Sequence, residues 1–140
     1  MSSSLKVFLY FTAAGIFAYW ILVIVGVFPV DDLVPGYKNW FMSFPVADGW
    51  IAIASILAAT LCKSNKRLSA IFTSAAGSGL IFLGLYAFAY GFNTGLVYHL
   101  TFDEGIEIAI KVYCLSIGSW FIASGYQQTL EHTLLERQVG

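Results

Sequence analysis

The ionisable side chains that lie inside apolar stretches are the residues of this chain most able to do chemistry. Glu107 and Lys111 are four positions apart in a run from about 106 to 126 that is otherwise almost wholly apolar. At this spacing both lie on one face of a helix, and Glu before Lys is the order that favours an ion pair. Ionisable groups in a bilayer are costly and need a partner or a function. The pair could face a ligand, or its members could simply neutralise each other.

Two further carboxylates and a thiol are expected near this pair. Cys114 continues the same helix face one turn deeper, Asp48 enters the second apolar segment at similar depth, and Glu104 precedes the fourth. Together they form the predicted ligand-binding set Asp48, Glu104, Glu107, Lys111 and Cys114, in which negative charge exceeds positive. Such a set suits a cation, a proton or a polar headgroup. Alternatively, Asp48 and Glu104 serve the unsatisfied N–H groups of helix N-termini, where carboxylates are favoured.

Motifs of established catalytic or metal chemistry are missing from the sequence. There is no Gly-rich phosphate loop, nucleophile elbow, HExxH motif or cluster of metal ligands. Cys62 and Cys114 are too far apart for a zinc ribbon or a thioredoxin-like centre. An intramembrane enzyme acting on lipid or quinone would have only Glu107 and Lys111 as an acid–base pair. We therefore assign no catalytic residue, metal or cofactor and disfavour an enzyme, and the net charge of -1 excludes a basic nucleic-acid surface.

The composition predicts the elements that must position these residues. Apolar residues make up 59% of the 140 residues and charged residues 11%, where a soluble domain has about 25% charged residues. A soluble fold of this size could not bury so much apolar surface. The sequence predicts a single domain, 1–140, that is an all-α integral membrane four-helix bundle. Its helices are expected at about 6–30, 44–62, 68–92 and 102–127, before a polar tail at 128–140 that prolongs the last helix.

Local signals predict where two of the helices begin. Ser43 precedes Pro45, so its hydroxyl is expected to cap the second helix while the proline occupies the first turn. Thr101 and Glu104 have the spacing of a capping box at the start of the fourth helix.

Small residues recur at helical spacing on the third and fourth segments. They stand seven positions apart at Ala70, Gly77, Gly84 and Gly91, and again at Gly118 and Gly125. Small residues let neighbouring helix backbones approach closely. We therefore expect these faces to pack against protein.

An acid–glycine pair occurs twice, at Asp48-Gly49 and at Glu104-Gly105, 56 positions apart. Each pair enters a helix from the same side. One interpretation is a duplication, with two helical hairpins related by a two-fold axis along the membrane normal. The alternative is a chance match among Ile and Ala residues.

The positive charges predict an orientation. Five lie on one side of the predicted bundle and one, Lys38, lies in a loop on the other side. Loops rich in Lys and Arg are cytoplasmic, so both termini are expected in the cytoplasm and the acidic loops outside. The residues on the cytoplasmic side are Lys6, Lys63, Lys66, Arg67 and Arg137.

Two functions follow from these features. The first is a small membrane protein that binds or transports a cation, a proton or a polar or lipid headgroup through an acidic cavity on the outer side. The alternative is a non-catalytic accessory or structural subunit that packs into a larger membrane complex through its glycine stripes. The expected surroundings are the lipid bilayer, with a second copy or a membrane-complex subunit as the protein partner.

Overall fold

The computed structural model describes residues 1–32, 34–98 and 102–139, without the side chains of 102, 103, 132 and 135–139. In these ranges the chain is helical and contains no strand. Four stretches are long and apolar enough to cross a membrane: α1, α2 together with α3, α4, and most of α5. The helices are α1 (Ser3–Ile24), α2 (Tyr37–Phe41), α3 (Phe44–Leu61), α4 (Lys66–Thr94) and α5 (Phe102–Val139), with a 3-10 turn at Leu96–Tyr98.

Two helix ends are set by glycine. Helix α1 ends at Ile24 although the apolar sequence continues to Val30, because Gly26 takes a φ of 80° and turns the chain. Gly95, with a φ of 77°, ends α4 in the same left-handed conformation. A positive φ is costly for residues that have a Cβ atom. It is common for a glycine that follows the last residues of a helix. Helix α5 continues through the polar tail to Val139.

The capping prediction for Ser43 is wrong. Its hydroxyl makes no bond to the backbone of α3 and instead donates to the carbonyl of Trp40 at 2.5 Å, which completes the end of α2. Pro45 does lie in the first turn of α3. The other expected cap residue, Thr101, lies outside the described residues.

Helices α4 and α5 make backbone contact along their small residues. A Cβ atom added to Gly77 would lie 2.6 Å from the carbonyl oxygen of Gly118, and one added to Gly118 would lie 2.8 Å from that of Gly77. Gly84 similarly faces Leu115 and Cys114 on α5. The prediction that these stripes face protein is therefore confirmed. We call this contact the glycine seam.

The remaining helices are arranged around this seam. Helix α3 packs on α4, and α1 packs on α3. Helices α1 and α5 meet through side chains in the half of α1 near its N-terminus, where the Phe8 and Trp120 rings lie edge to face with centroids 5.2 Å apart. Large apolar side chains point outward from all four long helices, among them Phe11, Ile21, Ile53, Ile71, Phe82, Leu85 and Val112.

The two ends of the bundle differ in charge. Lys6, Lys63, Lys66 and Arg67 lie at the end where α1 and α4 begin and α3 ends. At the opposite end α1 and α4 finish and α3 and α5 begin. This second end, called the acidic end below, carries Asp31, Asp48, Glu104 and Glu107.

The seam makes a testable prediction about stability. Replacing Gly118 by alanine is expected to lower the free energy of unfolding by about 1–3 kcal/mol, because the new methyl group overlaps α4. The matched control is Gly105→Ala, also in α5, where an added Cβ meets no atom within 4 Å. Reversible unfolding in mixed micelles would measure both variants. Equal stability of Gly118→Ala and the unmodified protein would show that the seam tolerates a wider separation.

Candidate functional site

Lys111 lies between two carboxylates at the acidic end. Its Nζ is 3.1 Å from an oxygen of Glu107 and 3.2 Å from an oxygen of Glu104. The side chains of Lys111 and Glu104 are each only 6% exposed. The expected pairing of Glu107 with Lys111 is confirmed, and Glu104, one further turn away on α5, joins it. Two carboxylates around one ammonium leave the group with a net negative charge when all are ionised.

The glycine stripe of α4 runs beside this lysine. A Cβ atom added to Gly91 would lie 3.8 Å from the Nζ of Lys111. The same Nζ lies 5.9 Å from the centroid of the Phe88 ring, within the range of a cation–π contact. A methyl group at position 91 would therefore lie in van der Waals contact with the buried ammonium group.

The short helix α2 closes over the carboxylates. Tyr37 is buried, and its hydroxyl donates a hydrogen bond to the Glu107 oxygen that does not face Lys111. Trp40 stacks on Tyr90 of α4 with ring centroids 3.7 Å apart and planes 10° apart. Both oxygens of Glu107 thus have protein partners, and α2 is held against both α4 and α5.

Asp48 lies on α3 and is bound differently. It is 7% exposed, and the indole Nε1 of Trp20 on α1 donates to its Oδ2 at 2.7 Å. Its other oxygen, Oδ1, is buried and has no hydrogen-bond partner among the described residues. The buried Nε1 of Trp40 is likewise without a partner in the described part of the chain. Leaving a buried polar atom unpaired costs about 1–3 kcal/mol, so these atoms mark an incomplete polar site.

A cavity of about 480 Å³, the large cavity, lies between α1 and α5. Most of its lining is apolar, and the polar lining residues are Asp48, Thr12, Tyr113 and Cys114 with Tyr19. The Thr12 hydroxyl donates to the Phe8 carbonyl, so the Tyr113 hydroxyl is the donor in the 2.8 Å bond between Tyr113 and Thr12. An apolar chamber with a few polar groups and a volume of about 300–1,000 Å³ is typical of small-molecule sites.

Two further cavities lie toward the acidic end. The small cavity, about 80 Å³, has Asp48 and Trp40 in its wall together with Glu107 and Lys111. The outer cavity, about 230 Å³, is lined by Asp31, Tyr37 and Glu107 among apolar residues. Tyr19 lines all three cavities. Its ring packs against those of Trp20, Phe28 and Phe41.

The predicted site residues fall into two groups. Glu104, Glu107 and Lys111 form one ionic cluster, while Asp48 faces Glu107 and Lys111 across the small cavity and shares the large cavity with Cys114. Their role in binding a ligand stays a prediction. The duplication also stays a prediction: Asp48 and Glu104 are both buried at the acidic end, but their partners are Trp20 and Lys111 respectively.

The sequence reasoning missed three aromatic residues of the site, Trp20, Tyr37 and Trp40. A signal for α2 was present, since Tyr37, Trp40 and Phe41 follow Gly36 at the i, i+3 and i+4 positions of one helix face.

Comparison with known proteins gives no relative. No family model, curated protein or solved structure matches this chain. Among the described residues, no group of three or more His, Cys, Asp or Glu side chains could hold a metal ion.

The ionic cluster generates a second prediction. Lys111→Met is expected to lower the free energy of unfolding by about 3 kcal/mol, because Glu104 and Glu107 would face each other without the ammonium group. Adding Glu104→Gln and Glu107→Gln to Lys111→Met should restore most of this loss, since no charge is then left unpaired. Unfolding in mixed micelles would compare these variants with Lys66→Met, which removes an exposed lysine at the start of α4. A Lys111→Met protein as stable as the Lys66→Met control would contradict the structural role of the cluster.

Proposed function

We propose that this chain is a multi-pass membrane protein that binds a small amphiphilic ligand. The polar head of the ligand is bound at Asp48, and its apolar body occupies the large cavity between α1 and α5. Four helices of spanning length and their outward-pointing apolar side chains support insertion in a bilayer, because such a surface would be strongly unfavourable in water.

The observation that carries this proposal is the Oδ1 of the buried Asp48, which has no hydrogen-bond partner in the described ranges of the chain. Lys111 and Glu107 are bonded to other side chains of the protein, and Glu104 is bonded to Lys111. This ionic cluster holds α2 against α5 at the acidic end through the bond between Tyr37 and Glu107. Asp48 has one oxygen bonded to Trp20 and one buried oxygen that has no hydrogen-bond partner among the described residues. We therefore assign head-group binding to Asp48 and positioning to the ionic cluster.

The place of the large cavity suggests how a ligand enters. Helices α1 and α5 touch at Phe8 and Trp120 and at Thr12 and Tyr113. Nearer the acidic end, Gly15 and Tyr19 on α1 are separated from Ile106 and Ile110 on α5 by the cavity, as the shared lining shows. An amphiphile in the bilayer would pass between these helices with its head toward Asp48.

The orientation is part of the proposal: the acidic end faces outward and both termini lie in the cytoplasm. In a background with Cys62→Ser and Cys114→Ala, a cysteine introduced at Asp31 should react with a membrane-impermeant maleimide on intact cells. A cysteine introduced at Ser64, in the exposed turn between α3 and α4, should react only after permeabilisation. The opposite labelling pattern would reverse the orientation, and labelling of both sites on intact cells would contradict a four-span topology.

Ligand binding is tested by native mass spectrometry of the protein released gently from its own membrane. The unmodified protein should carry a small-molecule adduct of reproducible mass. Asp48→Asn keeps the size of the side chain and an oxygen for Trp20 but removes the charge, so it should reduce adduct occupancy about tenfold or more. Asp31→Asn, which changes an exposed carboxylate at the outer cavity, should retain the adduct.

A second variant tests the large cavity independently of charge. Gly15 lines this cavity, and an added Cβ there meets no atom within 4 Å. Gly15→Leu should therefore fold normally, fill part of the cavity and lose the adduct. Gly49→Leu is its control, since Gly49 also has space for a side chain but is not part of the cavity lining. Adduct retention in both Asp48→Asn and Gly15→Leu would overturn the proposal, and release with a partner chain in fixed ratio would favour the accessory-subunit alternative.

A further inference from the structure

The two buried side-chain polar atoms that have no hydrogen-bond partner among the described residues are complementary. The indole Nε1 of Trp40 can only donate a hydrogen bond, and the carboxylate Oδ1 of Asp48 accepts one. Both residues line the small cavity, Trp40 from α2 and Asp48 from α3. A single group that accepts a hydrogen bond from Trp40 Nε1 and donates one to Asp48 Oδ1 would give both atoms a partner.

The chemistry of the small cavity narrows the choice of that group. An ammonium head has donors and no acceptor, so it would leave Trp40 unpaired. It would also approach Lys111, which lines the same cavity. An anionic head would approach Asp48 and Glu107 instead. An ether or ketone can accept from Trp40 but cannot donate to Asp48.

We propose that the small cavity is a hydroxyl-binding site, in which an alcohol or phenol oxygen accepts from Trp40 Nε1 and donates to Asp48 Oδ1. The inference rests on the proposed function and names its ligand class: a neutral amphiphile with a hydroxyl head. The cavity of about 80 Å³ has room for such a head, since one water-sized sphere occupies only about 10–15 Å³. Asp48 borders the large cavity as well, so the apolar body can continue from the hydroxyl into that space.

The proposal is tested with three probes that share one alkyl chain: 1-decanol, decylamine and decyl methyl ether. The full chain is labelled with ¹⁵N-tryptophan and placed in lipid nanodiscs. Its four tryptophans give four indole N–H signals, which the single Trp→Phe variants assign. Decanol should shift the Trp40 indole signal saturably. Decylamine and the ether should bind about tenfold more weakly, because each lacks one of the two hydrogen bonds.

Two variants separate the contacts. Trp40→Phe keeps an aromatic ring against Tyr90 but removes the donor, and should weaken decanol binding, read from the Trp20 signal, about tenfold while leaving decylamine binding unchanged. Trp50→Phe is the matched control, because Trp50 is 52% exposed and does not line the small cavity. It should bind decanol like the unmodified protein.

The outcomes distinguish a failure of the hydroxyl assignment from a failure of the proposed function. If decylamine binds more tightly than decanol and Asp48→Asn abolishes its binding, Asp48 is the anchor but the hydroxyl assignment is wrong. If no probe gives a saturable shift, the small cavity holds water only and the hydroxyl site is overturned. A native adduct that still depends on Asp48 would then leave the proposed function standing with a different head group.

Discussion

The backbone contact between α4 and α5 is the constraint on which the acidic end depends. Because Gly77 and Gly118 bring the two helices together, Gly91 comes to lie beside the ammonium group of Lys111. Lys111 can then remain buried and hold Glu104 and Glu107 on its two sides. The remaining oxygen of Glu107 binds Tyr37 and so fixes α2. The close packing of α4 against α5 thus determines where α2 can lie.

Helix α1 is outside this chain of contacts and is attached in another way. It packs along α3, and its strongest polar link is the bond from Trp20 to Asp48. That bond uses one oxygen of the carboxylate, and the other has no partner in the part of the chain that the structure describes. The same residue therefore anchors α1 and forms part of the cavity between α1 and α5. Attachment of α1 along one side, to α3, is what leaves space on its other side.

The sequence was sufficient to predict those features that depend on one helix at a time. Hydropathy and length predicted the four long helices, the seven-residue spacing predicted the faces of the glycine seam, and the i, i+4 spacing predicted the pair Glu107–Lys111. The bonds from Trp20 to Asp48 and from Tyr37 to Glu107 could not be predicted from the sequence, because they join different helices. Hydropathy does not say which helices are neighbours or how they are rotated. Ser43 shows that a prediction within one segment can also fail. Its hydroxyl could bond to the backbone of either α2 or α3, and it bonds to α2.

Tyr19 borders the outer, small and large cavities at once. Its ring also packs against those of Trp20, Phe28 and Phe41, so a change in the size of this side chain would alter the walls of all three cavities together. One side chain of α1 therefore connects the surroundings of Asp31 in the outer cavity with those of Asp48 and Cys114 in the large cavity.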